Sequence, residues 1–151
     1  MSTNAAFSQI LVATDFSEPS RKALEVAADL ARHYGSKITV LHVYPVPGYV
    51  LPEGFIAAGP DVLVEVENRT RKTLEEWKAD AVKMGVADVT VTTAIGNAAP
   101  EIVRLAKAGG YGLIVVGTHG RTGFTGFVLG SVASKVVTTA GCPVVTVPYR
   151  E

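Results

Sequence analysis

Short apolar runs alternate with longer amphipathic stretches along this chain, and the alternation predicts parallel strands joined by helices. Five runs have the length and the β-branched content of strands; they are Gln9 to Ala13, Lys37 to Val43, Asp88 to Ala94, Leu113 to Val116 and Pro143 to Val147. The fourth, and the first from Ile10 onward, are continuously apolar rather than alternating, a pattern typical of central strands that helices cover on both faces. A sheet of this kind binds ligands beyond the carboxyl ends of its strands, which is where we expect a site.

The stretches between these strands have helical spacing, with apolar residues recurring at steps of three and four. The predicted helices are Ser17 to Tyr34, Asp61 to Met84, Pro100 to Ala108 and Ser131 to Thr139. Ser17 is a predicted amino-terminal cap of the first helix, and Gly35 is placed to end it. The chain is therefore predicted to be an α/β protein.

The segment from Pro45 to Pro60 is too long and too apolar for an ordinary connection. It is rich in Pro and Gly, yet it contains two aromatic and several aliphatic side chains. We interpret it as a loop that acts as a lid or a partner contact. The alternative interpretation is that its side chains fold back on the second helix.

Composition and charge narrow the possible functions. Of the 151 residues, 48% are hydrophobic, so residues 1–151 are predicted to form a single domain around one core. Lys plus Arg and Asp plus Glu both number 14, so no overall positive field is present to hold nucleic acid or an anionic membrane surface. No apolar run approaches the ~20 residues that cross a bilayer. With one cysteine and no export signal at the amino terminus, we expect a cytoplasmic protein.

A glycine-rich segment follows the fourth strand and carries the chemistry. Five glycines fall between Gly117 and Gly130, and a helix begins directly afterwards. Glycine lets the main chain approach a ligand closely, and the free N–H groups of the next helix carry partial positive charge, so the segment predicts a phosphate site. Ser131 adds a hydroxyl, and Arg121 is the one cation inside the segment. His119 lies in the same segment, where we expect it beside phosphate rather than in catalysis.

Two observations limit this interpretation. The segment is neither a Walker loop nor a dinucleotide-binding fingerprint, because Gly-Lys-Ser/Thr is missing and Gly-x-Gly-x-x-Gly does not fit the first strand and helix. The alternative for the segment is a glycine-rich surface loop in which Ser131 only caps the helix.

The spacing Gly117-x-x-Gly120, nine residues and then Gly130-Ser131 resembles the ATP-binding pattern of the universal stress protein family. The resemblance extends over the whole chain, through Ile10-Leu-Val-Ala-Thr-Asp15-Phe-Ser, Val40-Leu-His-Val43, Leu113-Ile-Val-Val-Gly-Thr-His-Gly120 and Cys142-Pro-Val-Val-Thr-Val. It implies a single open, doubly wound, Rossmann-like sheet of five parallel strands in the order 3-2-1-4-5, with helices on both faces.

The resemblance also implies a role for particular residues. It places Asp15 and the main chain of Val43 at the adenosine end of ATP, with Thr14 beside them. It also implies that the ribose and phosphates are surrounded by Gly117, Gly120, Gly130, Ser131 and Val132. The alternative for Asp15 is that it caps the first helix together with Ser17.

The resemblance implies a homodimer through the last strand, Pro143 to Val147, because a bare edge strand at that position would otherwise be open to pairing. Phe124 and Phe127 are candidates for further apolar contact across that interface, and the alternative is that they pack locally.

Enzymatic turnover is not the predicted purpose. A related superfamily of adenylyl-transferring enzymes has His-x-Gly-His or Ser-Gly-Gly-x-Asp-Ser after the first strand, whereas this chain has Thr14-Asp-Phe-Ser-Glu-Pro-Ser. No arranged general base or Cys/His dyad is recognisable. The resemblance implies a regulatory or sensing module of the stress response that binds ATP, and we expect Mg²⁺ to neutralise the phosphates. The alternatives are a slow ATPase or self-phosphorylating protein, and a partner-binding protein whose nucleotide loop is vestigial.

Overall fold

The computed structural model describes residues 5–119 and 129–149, which form one five-stranded sheet, a separate hairpin and four α-helices. A short 3-10 turn, Ala5–Phe7, precedes the first strand. The elements are then β1 (Gln9–Ala13), α1 (Glu18–Tyr34), β2 (Lys37–Tyr44), β3 (Gly48–Leu51), β4 (Gly54–Ala57), α2 (Pro60–Lys83), β5 (Val89–Ile95), α3 (Ala98–Ala108), β6 (Leu113–Gly117), α4 (Ser131–Thr139) and β7 (Val144–Val147). Every predicted strand and helix is present, with bounds that differ by at most two residues.

The large sheet has the order β5-β2-β1-β6-β7, and all its neighbouring strands are parallel. Counted among themselves these strands run 3-2-1-4-5, so the predicted order is confirmed. The central residues of β1 are completely buried, as its continuous apolar sequence predicts. Because the strands are parallel, their carboxyl ends meet at one edge.

The ends of α1 follow the local signals in the sequence. Ser17 is the amino-terminal cap, and its side chain accepts a hydrogen bond from the main chain of Ser20. Gly35 ends the helix in the left-handed region, with φ of 69°, and its N–H bonds to Ala31 O. These caps fix where the chain leaves the carboxyl edge after β1 and where it returns for β2.

The two faces of the sheet are covered by different pairs of helices. On one face α1 and α2 bury five alanines together with the larger Leu24, Leu74 and Trp77. On the other face α3 and α4 bury mainly alanines, together with Ile102 and Val136. Among the residues that the structure describes, no helix is long and apolar enough to span a bilayer.

A polar network ties α2 to the carboxyl ends of β2 and β5. Glu67 accepts hydrogen bonds from the Tyr44 hydroxyl at 2.5 Å, from the Thr93 hydroxyl at 2.9 Å and from Arg71 Nε at 2.8 Å. Burial acts to raise the pKa of Glu67, but these hydrogen bonds lower it overall. Burial, the hydrogen bond to Glu67 and the negative charge of Glu67 raise the pKa of Tyr44 to about 12.

The prediction that Pro45 to Pro60 forms a loop is wrong for eight of these residues. Gly48–Leu51 and Gly54–Ala57 pair as an antiparallel hairpin, β3 and β4. Every residue of the two strands is exposed, and Val50 reaches 86%. The side chains are therefore presented to solvent rather than packed on α2, which excludes the interpretation that they fold back on that helix.

Candidate functional site

A cavity of about 300 Å³ opens at the carboxyl edge of the sheet, on the face that α3 and α4 cover. This is within the size range of small-molecule sites. Eight of the ten residues predicted for the site line it, namely Thr14, Asp15, Val43, Gly117, His119, Gly130, Ser131 and Val132. Gly120 and Arg121 lie outside the described residues, as do Phe124 and Phe127.

Asp15 enters the cavity from the end of β1 with a fixed carboxylate. Its Oδ1 accepts hydrogen bonds from Ser17 N at 3.0 Å, from Ser20 Oγ at 2.7 Å and from Ser17 Oγ. Asp15 N in turn donates to Ser20 Oγ at 3.2 Å. The negative charge lies beside the first turn of α1, whose free N–H groups stabilise it. Asp15 thus lines the cavity and also supports the cap of α1, so the two interpretations of this residue are compatible.

The main chain of Val43 faces the gap that opens where β1 ends. In β2 the peptide groups alternate between the two neighbouring strands. Leu41 O accepts from Thr14 N at 2.8 Å on the β1 side, whereas Tyr44 O accepts from Gly96 N at 2.9 Å on the β5 side. Val43 therefore turns its N–H and C=O toward the β1 side, beyond the last residue of that strand, Ala13. Its main chain is positioned to bond a ligand in the cavity.

Phe16, directly after Asp15, has a strained backbone, with φ of 67°. A bulky residue rarely occupies this left-handed region. Thr14 Oγ1 accepts the Phe16 N–H at 2.8 Å. The Phe16 ring stacks on His42 with centroids 4.3 Å apart and meets the Trp77 ring edge-on at 5.7 Å. These contacts hold the sharp turn that directs Asp15 to the cavity.

The amino terminus of α4 forms the opposite wall. Gly130 is the cap residue, and as a glycine it makes no side-chain capping bond to the first turn. Ser131 and Val132 line the cavity from that turn, so the helix presents partial positive charge there. Gly130 N donates to Thr118 O at 2.6 Å, and a Cβ on Gly130 would lie 2.8 Å from the same oxygen. Glycine is therefore required by this close approach of two main-chain segments.

His119 supplies a polar group without a partner. Its Nδ1 lies 3.0 Å from Thr118 Oγ1, while its Nε2 is buried and has no hydrogen-bond partner within residues 5–119 and 129–149. A buried nitrogen of this kind is costly unless something bonds it. Asp15 and His119 are the ionisable side chains among the described lining residues, so this part of the cavity offers an anion main-chain N–H groups, hydroxyls and His119.

Sequence analysis assigned no role to three residues that shape the site. Ser20 bonds the Asp15 carboxylate, Ala98 lines the cavity from the start of α3, and His42 bonds the main chain of Thr14. The position of Ser20 in the first turn of α1 was a usable signal. The contributions of Ala98 and His42 depend on the packing of elements that are distant in sequence, and no local pattern reveals them.

Comparison with known proteins places the chain among relatives of one kind. The sequence pattern of the Universal stress protein family matches residues 6–148. The Universal stress protein YxiE of Bacillus subtilis is 38% identical over 150 residues, which cover 93% of this chain and 99% of the relative.

Two solved structures add ligands to this comparison. A universal stress protein in complex with cAMP superposes with a TM-score of 0.73 at 25% identity, covering 94% of this chain and 97% of that one. The universal stress protein from Archaeoglobus fulgidus in complex with dAMP superposes with a TM-score of 0.67 at 25% identity, covering 94% and 98%. Both structures share the fold described above, and both hold an adenine nucleotide.

Proposed function

This chain belongs to the universal stress protein family, and from that premise we propose that it binds ATP and acts as a nucleotide-dependent regulatory or sensing module of the stress response. The observation that carries the proposal is the cavity at the carboxyl edge. It combines the fixed carboxylate of Asp15, the N–H and C=O of Val43 and the amino terminus of α4. The adenine nucleotides held by two relatives support the same ligand class.

The adenosine half of ATP fits the β1 and β2 side. The N–H and C=O of Val43 offer a donor and an acceptor to the edge of adenine, and the Asp15 carboxylate accepts from a ribose hydroxyl. Leu41 and Ile102 supply apolar surface to the base. Thr14 lies between the two polar groups and is buried.

The phosphates fit the α4 side. The N–H groups after Gly130 and the Ser131 hydroxyl donate to phosphate oxygens, and the main chain of Gly117 lines the same side of the cavity. His119 Nε2 gains a partner there. Gly120 and Arg121 belong to the same proposed phosphate site, although they lie outside the described residues. We expect Mg²⁺ to accompany the phosphates and neutralise part of their charge.

Calorimetric titration of nucleotide-stripped protein with Mg-ATP tests the proposal. We expect micromolar binding, about −8 kcal/mol. Ala98→Leu places a larger side chain in the cavity from α3 and is expected to weaken binding at least tenfold. No heat with the wild type, and no displacement of a fluorescent ATP analogue, would show that this protein does not bind ATP.

The matched control for this substitution is Ala108→Leu. It makes the same chemical change on the same helix, but Ala108 is exposed and does not line the cavity. We expect wild-type affinity and an unchanged circular dichroism spectrum. Measuring ADP release in the same samples separates binding from the alternative of slow hydrolysis.

We also propose that two copies pair through β7. This strand bonds to β6 on one side and ends the order of the sheet, so its other edge is open among the described residues. Ile114 N bonds to Pro143 O and Thr118 N bonds to Val147 O. Odd-numbered residues of β7 therefore face β6, and Thr146 turns its N–H outward. A second β7 would satisfy this row of groups.

Thr146→Pro tests the pairing because proline removes only the outward N–H and is tolerated at a sheet edge. We expect the mass in light scattering to fall from dimer to monomer while the helical circular dichroism signal is kept. A dimer that persists in Thr146→Pro, or a wild type that is monomeric at high micromolar concentration, would contradict pairing through β7.

A further inference from the structure

His42 lies behind the proposed nucleotide site, on the opposite face of the sheet. Along β2, Ile38 and Val40 pack into the core beneath α1 and α2, whereas Leu41 and Val43 pack toward α3 and α4. By this alternation the side chain of His42 shares the face of Ile38 and Val40. It does not line the cavity, so any effect on a ligand must pass through the main chain.

The imidazole of His42 holds one main-chain atom of the site. Its Nδ1 lies 2.7 Å from Thr14 O. A carbonyl oxygen only accepts, so Nδ1 carries the proton and donates. The ring is held between Phe16, whose centroid is 4.3 Å away at an interplanar angle of 27°, and Tyr44, at 6.2 Å and 22°. The two rings fix the direction in which Nδ1 points.

This hydrogen bond takes the place of a ladder bond between β1 and β2. Thr14 N donates to Leu41 O at 2.8 Å, and in a continuing parallel ladder Thr14 O would next accept from Val43 N. Within the described residues, the bond recorded at Thr14 O comes instead from the His42 side chain. The ladder therefore ends one bond early, at the point where the cavity begins.

We propose that His42 is a positioning residue for the nucleotide site. By holding Thr14 O it leaves the Val43 N–H to the ligand, and it fixes the peptide that carries Asp15. The identity of the ligand, an adenine nucleotide, rests on the proposed function. The arrangement of Thr14, His42 and Val43 is a property of the protein without ligand and is tested separately.

Two substitutions separate the donor from the ring. His42→Phe keeps an aromatic ring to stack on Phe16 and removes the donor. His42→Asn loses the ring, but its amide nitrogen lies the same number of bonds from Cα as Nδ1 and restores the donor. We expect Mg-ATP affinity to fall at least tenfold in His42→Phe and to recover to within threefold of wild type in His42→Asn. A merely structural role would give the opposite order, because Asn disturbs the packing more.

The nucleotide-free protein provides a second measurement. At pH 8, nitrogen-15 spectra of the imidazole are expected to show the Nδ1–H tautomer of His42. Amide exchange at Val43 is expected to be at least tenfold faster than at Leu41, and to slow in His42→Phe as Thr14 O becomes its acceptor. An Nε2–H tautomer, equal protection of Val43 and Leu41, or wild-type ATP affinity in His42→Phe would overturn the inference. A wild type with the expected tautomer and exchange but without ATP binding would support this arrangement and refute the proposed function.

Discussion

The two faces of the sheet have the same backbone plan but are filled differently. Beneath α1 and α2 the core contains Leu24, Leu74 and Trp77, and it is closed up to the carboxyl edge by the stacked rings of Phe16 and His42. Beneath α3 and α4 the largest side chains that the helices bury are Ile102 and Val136, and three alanines, Ala13, Ala98 and Ala133, line the carboxyl edge. The cavity of about 300 Å³ lies on the second face.

The difference shows that topology alone does not make a binding site. Parallel strands bring their carboxyl ends together on both faces of the sheet. Room for a ligand exists where the side chains at that edge are small, and the opposite face provides the rigid support. A substitution in the packed core of the first face should therefore act on stability, and one beside the cavity on the second face should act on binding. His42 is the exception on the first face, because it bonds a main-chain atom of the site.

The largest expected effect on stability comes from a substitution on the face that α1 and α2 cover, which we call the closed face. Leu74 is fully buried, and Leu74→Ala should lower the free energy of unfolding by about 2–5 kcal/mol, because it leaves a cavity in a packed core. ATP affinity at a temperature where the variant is folded should stay within threefold of wild type. Urea unfolding and calorimetric titration measure the two quantities.

Val132→Ala is the counterpart of this truncation on the open face, the one that α3 and α4 cover. Val132 is 39% exposed and lines the cavity, so its loss should cost less than about 1 kcal/mol of stability. Equal destabilisation by the two substitutions would refute the contrast between the faces.

An intermediate effect is expected at the rim of the cavity. In Gly130→Ala the new Cβ would lie 2.8 Å from Thr118 O, so the main chain must shift. We expect a loss of about 1–3 kcal/mol of stability and weaker nucleotide binding, measured in the same two assays. Replacing Gly130 therefore disturbs the contact between Gly130 and Thr118, in addition to any crowding of a ligand.

Gly59→Ala is the matched control. Gly59 is also a helix cap, with φ of −70° against −63° at Gly130, but a Cβ there meets nothing within 4 Å. The free energy of unfolding of Gly59→Ala should differ from that of wild type by no more than about 0.5 kcal/mol. A comparable loss in both variants would attribute the effect to the cap position rather than to Thr118.

The smallest effect concerns pH and the network around Glu67 on the closed face. The hydrogen bonds that lower the pKa of Glu67 stabilise the fold above about pH 4.5, the ordinary value for this carboxyl, and this stabilisation is lost as the pH falls through the lower folded pKa. Glu67→Gln should therefore be less stable than wild type at pH 7 by about 1 kcal/mol, and the difference should shrink toward pH 3.

Glu65→Gln is the control for this series. Glu65 pairs with Arg69 at the surface and is 66% exposed, so it should contribute little at any pH. Urea unfolding of the three proteins between pH 7 and pH 3 provides the measurement. A difference between wild type and Glu67→Gln that is constant over this range would contradict the assignment.

The fold was predictable because its signals are local. Continuous β-branched runs identified β1 and β6 as central strands, and Ser17 and Gly35 marked the ends of α1. The hairpin was missed because Pro and Gly were interpreted as signs of a loop. The two-residue connection Pro52-Glu53 has none of the usual hairpin signals, because proline cannot adopt the positive φ of the favoured two-residue hairpin turns.

The site was predictable only in part. Motif spacing and the order of elements identified residues such as Asp15 and Gly130, which the fold brings to one cavity. The role of His42 depends on the residue at which β1 leaves its ladder with β2, and the size of the cavity depends on alanines contributed by α3 and α4. These are products of long-range packing, which propensity and periodicity do not describe.

The hydrogen bond from Gly130 N to Thr118 O ties together the two ends of the segment from 119 to 129. The conformational entropy of closing this segment is therefore offset at its base, by the folded core. Closure entropy grows only slowly with length, by about 0.6 kcal/mol for each doubling. The stability of the protein should therefore depend only weakly on the number of residues between Thr118 and Gly130, because the folded sheet and α4 hold these two residues together.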